Sequence, residues 1–184
     1  MAKTPSNMLP LGTHAPDFTL YDTVSGKNLS LNDIKSPIAT VIFFICNHCP
    51  FVQHINVGIV ALAKDYQKLG IHFVAINAND VEKYPEDSPE KMTEAAQQLG
   101  YSFPYLFDDT QEVAKAYQAA CTPDFYIFDK HLACIYRGQL DDSRPGNDIP
   151  VTGKDIRLAL DCVLTGRDIP SNQKPSIGCN IKWK

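Results

Sequence analysis

The stretch FFICNHCPFV, Phe43 through Val52, places two cysteines two residues apart between two contrasting segments. Before it runs IATVIFFI, Ile38–Ile45, continuously apolar and rich in β-branched residues, as expected of a central strand covered on both faces. After it, Val52, Ile55, Ile59, Leu62, Tyr66 and Leu69 recur at spacings of three and four, one apolar helical stripe that Gly70 ends. Pro50 suits a first turn, where N–H groups lack intrahelical partners. The motif therefore reads as strand, CxxC, helix. Such a pair can hold a metal, staple a loop or exchange electrons. A helix N-terminus carries about half a positive charge, so a thiolate there falls below the ordinary thiol pKa of about 8.5. The expected anion is Cys46, with Cys49 one turn further in to resolve a mixed disulfide and His48 as a second group tuning the pKa. Zinc needs two more soft ligands at familiar spacing. The chain offers no second CxxC, and His54 would sit well along the same helix, where reaching a shared metal is awkward, so the redox reading is preferred and no metal is expected.

Outward from the motif, strand and helix signals alternate. APDFTLYDTVSGKNLSL reads as an N-terminal β-hairpin turning at Ser25-Gly26, and HFVAINA as the strand after the first helix. Ser88 is a candidate N-cap with Pro89 at the first helical position, opening a helix that Gly100 closes. YLFD, a short helix from Gln111, and two strands around Asp129–His131 follow. Thr152-x-x-Asp155 is a candidate capping box for the last helix, DIRLALDCVLTG. The order is α/β, with a first parallel crossover that delivers the cysteines to the carboxyl end of a central strand, where open α/β sheets place their sites. Pro123 in CTPDFYIFD opens the strand after the later crossover, and Thr122-Pro123 is expected to be cis and to face the cysteine pair. The expected division is a domain over 1–166 and a C-terminal tail over 167–184 on or near it.

The 184 residues suit one domain, and 44% hydrophobic with 21% charged residues allows a sizeable core. A formal charge of -4 gives no basic footprint, so nucleic acid and anionic membrane surfaces are not expected partners. The N-terminal MAKTPSNMLPLGTHAPDF lacks a continuous apolar segment of signal-peptide type, and cytoplasmic localisation is expected. Six cysteines in such a setting are more often catalytic, metal-binding or buried than disulfide-paired. Cys134 and Cys162 read as small buried hydrophobes. Cys121 and Cys179 are possible accessory thiols, Cys179 only if the tail folds over the site. Arg137, opening a turn, reads as a solvated surface residue.

LGTHAPDFTLYDTVSGKNLSL, CNHCP, TPDFYIFD and the terminal PSIGCNIKWK together resemble the peroxiredoxin-related (redoxin, alkyl hydroperoxide reductase–thiol-specific antioxidant) branch of the thioredoxin superfamily. The likeness runs over nearly the whole chain. It implies a thioredoxin fold, a central mixed sheet flanked by helices, with an N-terminal hairpin and a C-terminal extension. It further implies Cys46 as nucleophile, Cys49 as resolver and Thr122-Pro123 as the substrate-facing loop. The activity implied is thiol–disulfide exchange on a protein or small-thiol disulfide, reset by a cytoplasmic reductant such as thioredoxin or glutathione. No organic or metal cofactor is expected, only the redox-active disulfide Cys46–Cys49. Peroxiredoxins place Pro and Thr or Ser before the reactive Cys, where Ala39 and Phe43 stand here, which disfavours a dedicated peroxidase. Thioredoxins carry Trp before the first Cys and a buried Asp in the preceding strand, where Ile45 and Thr40 stand here. A thiol peroxidase and a copper-handling protein of the same fold are the remaining alternatives.

Overall fold

The computed structural model describes residues 3–184. In chain order the elements are β1 (Lys3–Pro5), β2 (Thr19–Asp22), β3 (Lys27–Ser30), α1 (Leu31–Ile34), β4 (Ala39–Phe44), α2 (Pro50–Gln67) and β5 (His72–Asn77). A 3-10 turn at Pro85–Asp87 leads into α3 (Pro89–Leu99), then β6 (Tyr105–Phe107), α4 (Glu112–Ala116), β7 (Cys121–Thr122), β8 (Asp124–Asp129), β9 (Cys134–Gly138), α5 (Lys154–Thr165) and β10 (Ile177–Asn180).

Seven strands form one sheet in the order β3-β2-β6-β5-β4-β8-β9. β4 pairs in parallel with β5 and antiparallel with β8, so the strand that carries the cysteines is central. Every residue of β4 is buried, in accord with its unbroken apolar sequence. Side chains alternate between two cores. Val41, Phe43, Phe73, Ala75, Phe125 and Ile127 face Ile55, Ile59 and Leu62 of α2 and Ile156 and Leu160 of α5. Ile42, Phe44, Val74, Ile76, Tyr126 and Phe128 face Leu31, Ile34, Tyr117 and the N-terminal Leu9 and Phe18.

Local signals act where the sequence carries them. Ser88 caps α3 by accepting from the Lys91 amide, Pro89 is its first residue, and Gly100 closes it in the left-handed region. The β2–β3 hairpin turns with Gly26 at φ 72°. The capping box expected at Thr152 and Asp155 does not form. Gly153 is the N-cap of α5, and the Thr152 and Gly153 amides donate instead to the Asp141 carboxylate at 2.7 and 2.6 Å. Asp155 accepts from Gln139. Arg137 is likewise not a solvated turn residue: it lies within β9 and donates to the Leu9 carbonyl and the Gln173 side chain.

The tail forms structure of its own. β10 is the middle strand of a second, three-stranded sheet, β1-β10-β7, all antiparallel. Beyond it the chain end is tied down by Lys182 N–H on Asn79, by Lys184 N–H on Gln111, and by the Lys115 ammonium 5.7 Å from the Trp183 ring centre. No helix among the described residues is long and apolar enough to cross a membrane.

Candidate active site

The segment Ile45–Cys49 links β4 to α2. Ile45 continues the strand's pairing through its amide on the Ile76 carbonyl, and the chain then turns through Cys46, Asn47 and His48. Cys49 is the N-cap of α2 and Pro50 its first residue. Cys46 thus lies three residues ahead of the helix N-cap. Cys46 and Cys49 are both buried and both close to the residue before the cis peptide Thr122-Pro123. Cys46 Sγ lies 3.4 Å from the Thr122 hydroxyl. Cys49 Sγ lies 3.2 Å from the Thr122 carbonyl oxygen, to which its protonated form donates.

This placement divides the pair's charge differently from the expectation drawn from the motif alone. The Cys49 thiol is pulled down to about 5, chiefly by the hydrogen bond that Cys46 donates to its sulfur; burial opposes the shift, and Cys179, Thr122 and the Val52 amide add to it. The Cys46 thiol is pushed well up, by donating to Cys49, by burial, and by the nearby Asp87 carboxylate. The two shifts are one effect seen from both sides, a single proton shared between the two sulfurs with Cys46 as its donor.

That carboxylate belongs to Asp87, at the end of the 3-10 turn, and no local motif marks it in the sequence. Asp87 is fully buried. Its Oδ1 accepts the Asn47 amide at 2.7 Å, and its Oδ2 accepts His48 Nδ1 at 2.7 Å and Asn79 Nδ2 at 2.8 Å. Burial alone would raise its pKa, but donation from His48, Asn79 and Asn47 outweighs that and holds the group below the usual carboxylate range. In return Asp87 raises the His48 pKa against a smaller burial effect. The His48 ring stacks on Tyr84 with centres 5.2 Å apart, and Lys182 from the tail sits over the same tyrosine. His48 is thus a paired group within the site. Donor atoms of Cys46, His48 and Asp87 lie within 4.8 Å of one another, a spacing a cation could share, although the imidazole and carboxylate already satisfy each other there.

The tail changes the expected picture of the proline loop. β10 pairs with β7 in the register Cys179↔Thr122, so the backbone ahead of Pro123, expected to face substrate, is covered by the protein's own chain. Gly178 makes this approach possible: a Cβ there would lie 1.9 Å from the Thr122 carbonyl oxygen. Cys179 Sγ is 2.7 Å from Cys49 Sγ. Cys121 is buried, its thiol 3.6 Å from the Pro123 carbonyl oxygen and pushed up by burial. Beside Pro123 lies a small cleft lined by Phe51, Ile55, Arg144, Ser176 and Ile177. A second buried carboxyl, Asp124, is pushed up to about 8 by burial, but it bonds Tyr126 on the other face of β8 from the thiols.

A βαβ crossover whose first strand runs through a CxxC into the helix, opposite a cis-proline that opens an antiparallel strand, defines a thioredoxin-fold protein. The thioredoxin domain of a thiol-disulfide oxidoreductase from Bacteroides vulgatus superposes with a TM-score of 0.62 at 18% identity, over 81% of this chain and 96% of that one. The AhpC/TSA family profile matches residues 11–136, and the chain belongs to that family. A conserved protein of Geobacillus kaustophilus, described as uncharacterized, superposes with a TM-score of 0.99 at 64% identity over 100% of this chain and 97% of its own. The thiol-disulfide oxidoreductase ResA of Geobacillus thermodenitrificans is 27% identical over 134 residues, 70% of this chain and 68% of that protein.

Proposed function

We propose that the protein is a thiol–disulfide oxidoreductase whose redox couple is Cys46–Cys49. The observation that carries this reading is geometric: a CxxC between β4 and α2 whose two sulfurs both lie against Thr122, just ahead of cis-Pro123, with the bond between the sulfurs lowering one thiol. Thiolates attack disulfides and thiols do not, so the pair is poised at neutral pH. In the reducing direction the thiolate of the pair attacks a client disulfide, joining one client sulfur and expelling the other as thiolate. The second cysteine of the pair then gives up its proton and attacks the first, forming the Cys46–Cys49 bridge and expelling the second client sulfur. The client gains two electrons and the pair loses two, with no organic or metal cofactor in the scheme. The His48–Asp87 pair beside Cys46 orients the turn through the Asn47 amide, and its carboxylate keeps the Cys46 proton in place until the mixed disulfide forms. The client is a disulfide of a protein or small thiol, and thioredoxin or glutathione would reset the pair.

The peroxidase alternative has less support. Counted from Cys46, Phe43 holds the position where a peroxide-polarising hydroxyl would stand, its ring stacked on Phe125 in the core; counted from Cys49, that position is Cys46, so neither cysteine has the hydroxyl. Arg137 and Arg144 direct their guanidinium groups to Leu9, Gln173, Gln139 and nearby carbonyls. The test is reduction of insulin or glutathione disulfide by the purified protein. Activity should be lost in Cys49→Ser and in the Cys46→Ser/Cys49→Ser double variant, with peroxide consumption near background. A wild-type protein that leaves both disulfides intact overturns the reading.

A further inference from the structure

Cys179 is the only one of the other four cysteines whose sulfur is in direct contact with a sulfur of the pair among the described residues. Its position is set by three independent features. β10 is held on both sides, by β1 and by β7. The register places Cys179 opposite Thr122, whose hydroxyl and carbonyl touch Cys46 and Cys49. Gly178 lets the strand run against the cis-proline without a side chain in the way. The Cys49 sulfur thus has one thiol on each side, Cys46 on the β4 side and Cys179 on the tail side. The tail occupies the strand position that an extended client would take beside β7, and it presents a sulfur where the client's sulfur would arrive.

We infer that Cys179 is a third redox-active thiol, and that Cys49 is the hub of two alternative internal bridges, Cys46–Cys49 and Cys49–Cys179. The inference rests on the oxidoreductase reading for the source of the first bridge. Once a client has oxidised the pair, the Cys179 sulfur attacks Cys49. The Cys49–Cys179 bond forms and the Cys46–Cys49 bond breaks. A proton leaves Cys179 and one is taken up at Cys46, with no net oxidation and no further reagent. Equally, Cys179 can attack a mixed disulfide on Cys49 directly and expel the client, which makes it a second resolving cysteine. In the reduced protein Cys179 stays protonated, raised to about 12 by burial and by its contact with Cys49, so it donates to the Cys49 anion and does not compete with it. The Cys49–Cys179 bridge would tie the tail covalently to the first turn of α2 and leave Cys46 as a thiol.

The experiment oxidises the protein with glutathione disulfide, blocks remaining thiols and maps the disulfide-linked peptides. Wild type should yield a Cys49–Cys179 peptide alongside Cys46–Cys49. Cys46→Ser should lose two titratable thiols and carry no lasting glutathione adduct, because Cys179 resolves it. Cys46→Ser/Cys179→Ser should retain the adduct on Cys49. An adduct in Cys46→Ser equal to that of the double variant, with no Cys49–Cys179 peptide in wild type, overturns the inference; the wild-type map decides the matter even where a variant does not fold. Exchange activity in wild type without the second bridge removes only this inference. A second bridge in a protein that reduces neither insulin nor glutathione disulfide beyond one stoichiometric round removes only the oxidoreductase reading.

Discussion

At the scale of single residues, the site is governed by where protons reside on three sulfurs, one imidazole and one carboxylate. With the Cys49 thiol down at about 5, its reactivity toward iodoacetamide in the reduced protein should persist at pH 7 and fall away as pH drops through about 5. Replacing Cys46 by Ala removes the largest contribution to that shift, so the midpoint should climb toward the ordinary thiol value of about 8.5. A midpoint that stays put would show that the helix mouth alone suffices. The His48–Asp87 pair has its own pH signature. His48 is raised, so its contribution to stability is complete below the unfolded value of about 6.5 and fades as pH rises through the folded one. Asp87 is lowered, so its contribution is complete above about 3.9 and fades as pH falls below that. Thermal unfolding of wild type and Asp87→Ala should therefore differ most between about pH 4 and 6.5. In that window the loss should be about 3–5 kcal/mol, since it leaves buried donors without their acceptor. The cysteines of this site stand out in the sequence because CxxC is compact. Asp87 does not, because it meets His48 across a separation of 39 residues that only the folded β5–α3 connection closes.

At the scale of elements, legibility followed how local each signal is. The β2–β3 hairpin, α2 and α3 carry their turn, stripe and caps within their own residues, and the structure has them where those residues stand. Thr152 and Asp155 carry the right letters for a cap, but the distant Asp141 carboxylate takes the amides first. β1 and β10 are three and four residues long with no apolar alternation, and they exist as strands only because each lies beside the other and β10 beside β7. Gly178 is the residue on which that arrangement turns. Gly178→Ala would set a methyl 1.9 Å from the Thr122 oxygen, a backbone atom that cannot swing aside. Overpacking of this kind costs about 1–3 kcal/mol, read as a drop in the denaturation midpoint. The same variant should move the Cys179 sulfur off Cys49 and slow formation of the bridge between them. Unchanged stability would mean that β10 has room the structure does not show.

Taken as a whole, the molecule buries its redox pair. Cys46 and Cys49 are 1% and 0% exposed, and the covering element on one side is the tail. Access to the sulfurs thus depends on how long β10 stays paired. Ending the chain at Gly166 should raise the rate at which an uncharged alkylating reagent modifies Cys49 and Cys121, with the seven-stranded sheet and its far-ultraviolet dichroism retained. A rate equal to the full-length protein's would place the path to the pair elsewhere, along the cleft beside Phe51 and Ile177.

Trp183, the chain's single tryptophan, sits three residues past β10 with a lysine ammonium near its ring and about two-fifths of its surface in water, 39%. Indole emission shifts in colour and intensity when such a partner leaves. The protein therefore carries a built-in optical gauge of whether its chain end is seated against Lys115. Stopped-flow fluorescence after mixing with a disulfide would time that motion with no dye attached.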